Sequence, residues 1–124
     1  MSSGEPFSVP VGWRRSRRGG VVVATRPGPS PARLEWWTGS TPAYDGLVVE
    51  DEDSFDLSGH PVGYRRFGHR ADGVELVSEE WTWHVAGDRL ALTGTVARDD
   101  YLTVCDLFED VAATVDPQAL AATT

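Results

Sequence analysis

The chain lacks several residue types and patterns, and each absence excludes a class of protein. It has one cysteine in 124 residues, which permits no internal disulfide and fits a reducing compartment. It has no run of about 18 apolar residues, so no membrane span is predicted. The N-terminus lacks a basic region followed by an apolar one, so we expect no secretory signal and a cytoplasmic location.

Lysine is absent altogether, and basic charge is concentrated at the start of the chain. All eleven basic residues are arginines, and the formal net charge is −8. An acidic chain is a poor partner for nucleic acid, because neutralising phosphates needs a positive surface. The early arginine run is either a solvated loop or a patch that binds phosphates or an acidic partner. Its members are Arg14, Arg15, Arg17 and Arg18.

The sequence also lacks the motifs of the common enzyme and metal-site classes. It shows no His-x-x-x-His or Cys-x-x-Cys spacing, no Gly-x-Ser-x-Gly elbow, no P-loop and no dinucleotide fingerprint. Glu79 and Glu80 are neighbours on a predicted strand, so they point to opposite faces and cannot share a proton. We predict no catalytic site, no metal and no cofactor. An enzyme hypothesis would depend on His84, Arg89 and nearby acids.

The second half of the chain predicts a three-stranded meander. Asp72-Gly73 and Ala86-Gly87 have the composition of two-residue hairpin loops, and each loop sets the register of its two strands. The first loop places Tyr64 opposite Trp81, and the second places Trp81 opposite Leu92. Both registers put one apolar set on the same face of the sheet. This set is Val62, Tyr64, Val77, Trp81, Trp83, Val85, Leu90, Leu92 and Val96.

The same registers pair charged residues across the strands. Arg65 lies opposite Glu80 on the wetter face, where an opposite-charge pair contributes roughly 0.2–1 kcal/mol. Arg66 lies opposite Glu79 at the far edge of the apolar face, where we expect each to neutralise the other.

An amphipathic helix is predicted directly after the meander. Asp99 or Asp100 can cap its N-terminus, and Asp116-Pro117 ends it, because the residue before a proline avoids helical geometry. Apolar residues recur at three- and four-residue steps, and this stripe should lie across the tryptophan face. The stripe consists of Tyr101, Val104, Cys105, Phe108, Val111, Ala112 and Val115.

Taken together, these segments predict an α+β fold for the chain. A single twisted antiparallel sheet of about six strands, including the meander, carries the C-terminal helix on one face. The early segments 7–10, 21–25 and 33–38 are expected to be extended. The acidic run 50–53 suits a solvated strand edge, where charge deters edge-to-edge pairing, and a turn follows it. Residues 1–117 form this domain, and 118–124 form a flexible tail.

Several segments follow one another in an order that is typical of a known family. They are Phe7-Ser8-Val9-Pro10, Gly12-Trp13, Leu57 to Tyr64, Glu79 to Trp83, Arg89 to Val96, Asp100-Tyr101 and Phe108. This order resembles the PsbP-like and DcrB-like domains, which include actinobacterial lipoproteins of the LpqN type. The resemblance implies a twisted antiparallel sheet with packed helices and no shared catalytic residues. Members of this family bind a small GTPase, a photosystem, envelope lipids or hydrophobic segments of type VI secretion effectors. Residues 39–54 are too short and acidic for the family's helix, which would leave one sheet face under-covered.

The predicted function is therefore a non-enzymatic protein-binding module, an adaptor or chaperone-like accessory protein for a secretion or toxin system. Outward aromatic residues, Trp37 and Phe67, together with the arginine run, would bind the partner, and the same surface allows a homodimer. The alternative is a carrier of a small apolar ligand or lipid, held between the helix and the sheet. That pocket would be lined by Tyr64, Trp81, Trp83 and Phe108.

Overall fold

The computed structural model shows an antiparallel sheet with an α-helix packed on one face. It describes residues 6–19, 21–28, 31–39 and 43–117, so the predicted tail 118–124 lies outside the described residues. The strands are β1 (Arg14–Arg18), β2 (Val21–Arg26), β3 (Ala32–Thr38), β4 (Val48–Leu57), β5 (His60–Ala71), β6 (Val74–Val85) and β7 (Asp88–Ala97). A short 3-10 turn, Arg98–Asp100, leads into helix α1 (Tyr101–Ala112). The strand order across the sheet is β1-β2-β3-β7-β6-β5-β4.

Tight two-residue turns set the registers of β4 to β7. Ser58, Asp72 and Ala86 have φ angles of 53°, 52° and 53°, and the glycine after each of them also has a positive φ. Two successive residues at positive φ are typical of the type I′ turn, whose twist matches that of the flanking strands. The predicted registers are confirmed, since Tyr64 lies opposite Trp81 and the same tryptophan lies opposite a leucine of β7.

The core lies between α1 and the tryptophan face of the sheet. Trp81 and Trp83 are each 1% exposed, and Phe108 of the helix is completely buried. Gly94 of β7 lies directly beneath Phe108, and a Cβ built on this glycine would be 2.7 Å from the aromatic ring. The predicted packing of the helix stripe on this face is confirmed except at Cys105, which is only half-buried and lies outside the core. The absence of a side chain at Gly94 permits the close approach of Phe108.

The start of the helix differs from the prediction. Asp100 is the N-cap residue, but its side chain makes no capping hydrogen bond. Instead, the Thr103 hydroxyl donates to the Asp100 carbonyl oxygen at 2.6 Å. The helix ends at Ala112, before the expected Asp116-Pro117 boundary.

The predicted fold class is wrong in its strand count and in its balance of sheet and helix. The described residues contain seven strands, where about six were expected, and one helix of 12 residues, so the fold is mostly sheet. The arginine run, expected as a loop, is strand β1, and the acidic run continues through the expected turn as β4. Both strands lie at sheet edges and are solvated on both faces, so neither shows apolar alternation. Phe7–Pro10 is not a strand, although Phe7 is buried in the core.

The second face of the sheet is covered, although residues 43–54 form no helix. Tyr44 lies over Phe67 and His69, with ring centroids 4.9 and 4.7 Å apart. The backbone amide of Arg70 donates to the carbonyl oxygen of Asp45 at 3.0 Å, which ties this segment to β5. Tyr44 and Asp45, which precede β4, therefore help to cover the face that was expected to be open.

Candidate functional site

Strand β4 presents a long, exposed edge of the sheet. It pairs with β5 on one side, and among the described strands none pairs with its other side. Nine of its ten residues are exposed, including three apolar ones, Val48, Val49 and Phe55. Its carboxylates are Glu50, Asp51, Glu52, Asp53 and Asp56. An edge of this kind offers unpaired backbone donors and acceptors to an added strand.

One of these carboxylates is used inside the molecule. The register shifts between Val49 and Asp51, so Glu50 is the extra residue of a β-bulge. The carboxylate of Glu50 accepts a hydrogen bond from Arg98 and lies 3.4 Å from the guanidinium of Arg66. The hydrogen bond from Arg98 holds the pKa of Glu50 below its ordinary value. The other four carboxylates of β4 have no ion pair in the described part of the chain.

Strand β1 forms the opposite edge of the sheet and carries the opposite charge. All five of its residues are exposed, and four of them are arginines. Its register with β2 places Arg15 and Arg17 on the helix side of the sheet, and Arg14 and Arg18 on the other side. The arginine run is therefore an exposed strand with positive charge on both faces.

The two aromatic residues expected to point outward are covered to different degrees. Phe67 is completely buried, because it lies beneath Tyr44 and because the guanidinium carbon of Arg65 lies 4.5 Å from its ring centroid. Trp37 is half-buried, and its indole nitrogen is shielded from solvent. The expectation that Phe67 faces outward is wrong, since sequence reasoning assigned no covering role to residues 43–47.

The four residues of the alternative ligand pocket belong mainly to the packed core. Trp81, Trp83 and Phe108 are at most 1% exposed, and only Tyr64 is half-buried. The tight contact between Phe108 and Gly94 leaves no room for a ligand at that point. These residues therefore fill the space between helix and sheet.

Sequence reasoning missed a polar cleft of about 330 Å³ near the start of α1. Glu79 lies in this cleft and is 6% exposed, and the Tyr64 hydroxyl donates a hydrogen bond to its carboxylate. Burial raises the pKa of Glu79. Arg66 lies opposite Glu79 as expected, and its charge opposes the rise in the Glu79 pKa, but its guanidinium forms its ion pair with Glu50. A glutamate at an apolar-face position of β6 was the signal that could have revealed the cleft.

The predicted pair of Arg65 and Glu80 is confirmed, but its carboxylate is buried rather than exposed to solvent. Arg65 Nε lies 2.9 Å from Glu80 Oε1, and Arg89 Nη2 lies 3.2 Å from the same oxygen. The Glu80 side chain is 3% exposed. Arg89 also donates to the carbonyl oxygen of Gly39 at 2.9 Å, so its guanidinium supports the connection after β3. His84, its expected catalytic companion, is exposed on the strand opposite.

A buried chain of hydrogen bonds completes the second face. His69 Nε2 lies 2.8 Å from Ser78 Oγ, which lies 2.7 Å from Thr95 Oγ1. Burial lowers the pKa of His69. No group of three or more metal-binding side chains occurs in the described ranges. Within those ranges, no helix has the length and apolar character needed to cross a membrane.

Ten solved chains are similar to this chain, among them one from Pseudomonas aeruginosa and one from Mycobacterium tuberculosis. PA94 from Pseudomonas aeruginosa, a protein of unknown function described as a candidate regulator, is 12% identical with a TM-score of 0.67. That match covers 85% of this chain and 96% of PA94. LpqN of Mycobacterium tuberculosis, involved in cell envelope biogenesis, is 16% identical with a TM-score of 0.58, over 93% of this chain and 84% of LpqN. No family profile and no curated protein sequence matches. At these identities the similarity establishes the fold alone, and that fold is LpqN-like.

Proposed function

We propose that this chain is a non-enzymatic protein-binding module whose docking site is the outer edge of β4. The observation that carries this proposal is a ten-residue strand, nine of whose residues are exposed, with one side unpaired among the described strands. A partner segment can add to such an edge as a further strand, with backbone hydrogen bonds supplying affinity and alternate side chains supplying specificity.

The side chains of β4 select a basic partner. The register with β5 puts Asp51 and Asp53 on the helix side of the sheet, and Glu52 and Asp56 on the other side. An added strand that carries arginines would therefore meet carboxylates on both faces. Each cross-strand pair of opposite charge contributes roughly 0.2–1 kcal/mol.

The LpqN-like fold supports a relationship to the PsbP-like and DcrB-like domains, whose members act by binding. An adaptor or chaperone-like role, in a secretion or toxin system, fits an edge that accepts an extended segment. LpqN takes part in cell envelope biogenesis, and a cytoplasmic location for this chain stays a prediction. A carrier role receives less support, because the proposed pocket residues are packed in the core.

A fluorescent extended peptide with arginines at consecutive positions, which therefore point to both faces of an added strand, tests the docking site. The acidic-edge variant is Asp51→Asn, Glu52→Gln and Asp53→Asn, which removes charge but keeps side-chain size. We expect the wild type to bind the peptide at low salt, measured by fluorescence anisotropy. The variant should bind about tenfold more weakly, because three cross-strand charge pairs are lost.

The matched control is a second triple variant, which removes three negative charges from positions outside β4. Asp88→Asn, Asp99→Asn and Asp110→Asn change three exposed carboxylates that lie outside β4. This control should bind the peptide as the wild type does. An equal loss in both variants would show that net charge alone attracts the peptide, and absence of binding by the wild type would refute the docking site.

A further inference from the structure

We infer that the acidic edge of one copy of this chain binds the basic edge of a second copy, so that the sheet continues from molecule to molecule. The acidic edge is the outer side of β4, and the basic edge is the outer side of β1. This inference rests on the proposed function, since it names the partner that adds to β4.

The charges of the two edges match on both faces of the sheet. On the helix side, β1 carries Arg15 and Arg17, and β4 carries carboxylates at 51 and 53. On the other side, β1 carries Arg14 and Arg18, and β4 carries carboxylates at 52 and 56. A strand from the basic edge therefore meets opposite charge on either face.

Like charges oppose the alternative in which identical edges meet. A two-fold axis normal to the sheet would place β4 against β4, or β1 against β1, in antiparallel pairing. The first arrangement would bring two rows of carboxylates together, and the second would bring two rows of arginines together. Like charges directly opposite each other on paired strands are destabilising. The charge pattern thus selects contact between unlike edges.

The strand order allows unlike edges to join. The sheet is antiparallel throughout, so its first and seventh strands across, β1 and β4, run in the same direction. A second copy in the same orientation would therefore place its β1 parallel to β4 of the first copy. A second copy with its two sheet faces exchanged and its strands reversed would place β1 antiparallel to β4. Because both faces carry matched charge, both arrangements satisfy the ion pairs. Contact between unlike edges leaves one edge of each kind open, which leads to rings or filaments.

The lengths of the two edges are compatible as well. Strand β1 has five residues and β4 has ten, so β1 can lie wholly within the span of β4. At about 3.3 Å per residue, the shorter strand covers roughly 17 Å. The acidic run 50–53 lies within that distance, so the arginines and carboxylates can face one another along the shared edge.

Sedimentation velocity of the full chain measures this self-association directly. We expect the average mass of the wild type to rise with protein concentration at about 0.02 M salt. The association constant should fall about tenfold or more at about 0.5 M salt, because exposed charges are then screened. A wild type that stays monomeric at low salt would overturn the inference.

Two variants, each with the charge of one edge reduced, make the test specific. The acidic-edge variant is the one described above, and the basic-edge variant is Arg14→Gln, Arg17→Gln and Arg18→Gln. Each variant alone should lose self-association, because it lacks one of the two partner surfaces. An equimolar mixture should form a one-to-one dimer and no larger species, since each copy contributes its single unaltered edge. Circular dichroism establishes that both variants are folded.

The control and the peptide experiment separate the possible failures. The Asp88, Asp99 and Asp110 triple variant should associate as the wild type does, and loss of association there would overturn the assignment to the edges. Association of either edge variant alone at the wild-type level would overturn it too. If the arginine peptide binds but the wild type does not self-associate, the docking site stands and its partner is another basic chain. If neither occurs, both proposals fail.

Discussion

At the scale of single residues, burial decides what the two adjacent glutamates of β6 do. Glu79 lies on the helix side, where it accepts a hydrogen bond from Tyr64 and its pKa is raised by burial. Glu80 lies on the other side, where two arginines approach one of its oxygens. Their opposite directions follow from strand alternation alone. Which of the two gains an ionic partner depends on the strands and connections that lie nearby.

Glu80→Ala should destabilise the fold by about 2–3 kcal/mol, because it leaves two partly buried guanidinium groups without their shared carboxylate. The matched control is Glu75→Ala in the same strand. Glu75 also forms an ion pair with an arginine of the neighbouring strand β5, but both side chains of that pair are more than half exposed. Its loss should cost less than about 1 kcal/mol. Urea unfolding measures both changes, and equal costs would contradict a structural role for the buried pair.

At the scale of elements, one missing side chain sets the distance between helix and sheet. Gly94 has no Cβ, so the ring of Phe108 rests against the backbone of β7. The helix buries Val104, Phe108, Val111 and Ala112 on this surface. The apolar stripe of α1 therefore packs on the central strands of the sheet.

Gly94→Ala should cost about 1–3 kcal/mol, because the added methyl group overlaps the Phe108 ring and forces the helix outward. Gly63→Ala in β5 is the control, since a Cβ there meets nothing within 4 Å. The control should be neutral or slightly stabilising, because glycine in a strand is entropically unfavourable. Thermal or urea unfolding measures both. Phe108→Leu should reduce the penalty of Gly94→Ala, and two additive penalties would argue against direct contact.

At the scale of the whole molecule, charge is separated across the width of the sheet. Four arginines occupy one outer strand and five carboxylates the other, with five strands between them. Neither edge can neutralise the other within one copy of this open sheet. The arrangement discourages pairing of identical edges and leaves unlike edges available to other chains.

Hydrogen exchange should reflect this architecture. Backbone amides of β7, which is paired on both sides, should exchange most slowly, and the outward amides of β4 should exchange fastest. Raising the protein concentration at low salt should slow exchange in β4 and β1 only, because association covers those edges. Mass spectrometry of peptic fragments measures each strand separately. Protection spread evenly over the sheet would contradict association through the edges.

The sequence by itself determined the features that depend on neighbouring residues. Two-residue turns set the registers of the meander, strand alternation placed the tryptophans on one face, and helical periodicity defined the stripe of α1. The order of the motifs also indicated the LpqN-like fold. Each of these signals spans only a few residues, so no distant contact was needed to recognise it.

Only the tertiary structure decided where the charged runs lie and which faces are covered. The arginine run becomes an edge strand because β2 pairs with it, and β3 joins β7 at a separation of more than 50 residues, as in Trp37 with Ala91. Phe67 is buried because Tyr44 returns over it. Such long-range pairings depend on loop closure and on the total apolar area buried, which no local pattern records. The local sequence therefore determines the strands and their registers, and the assembled sheet determines which strand is an edge.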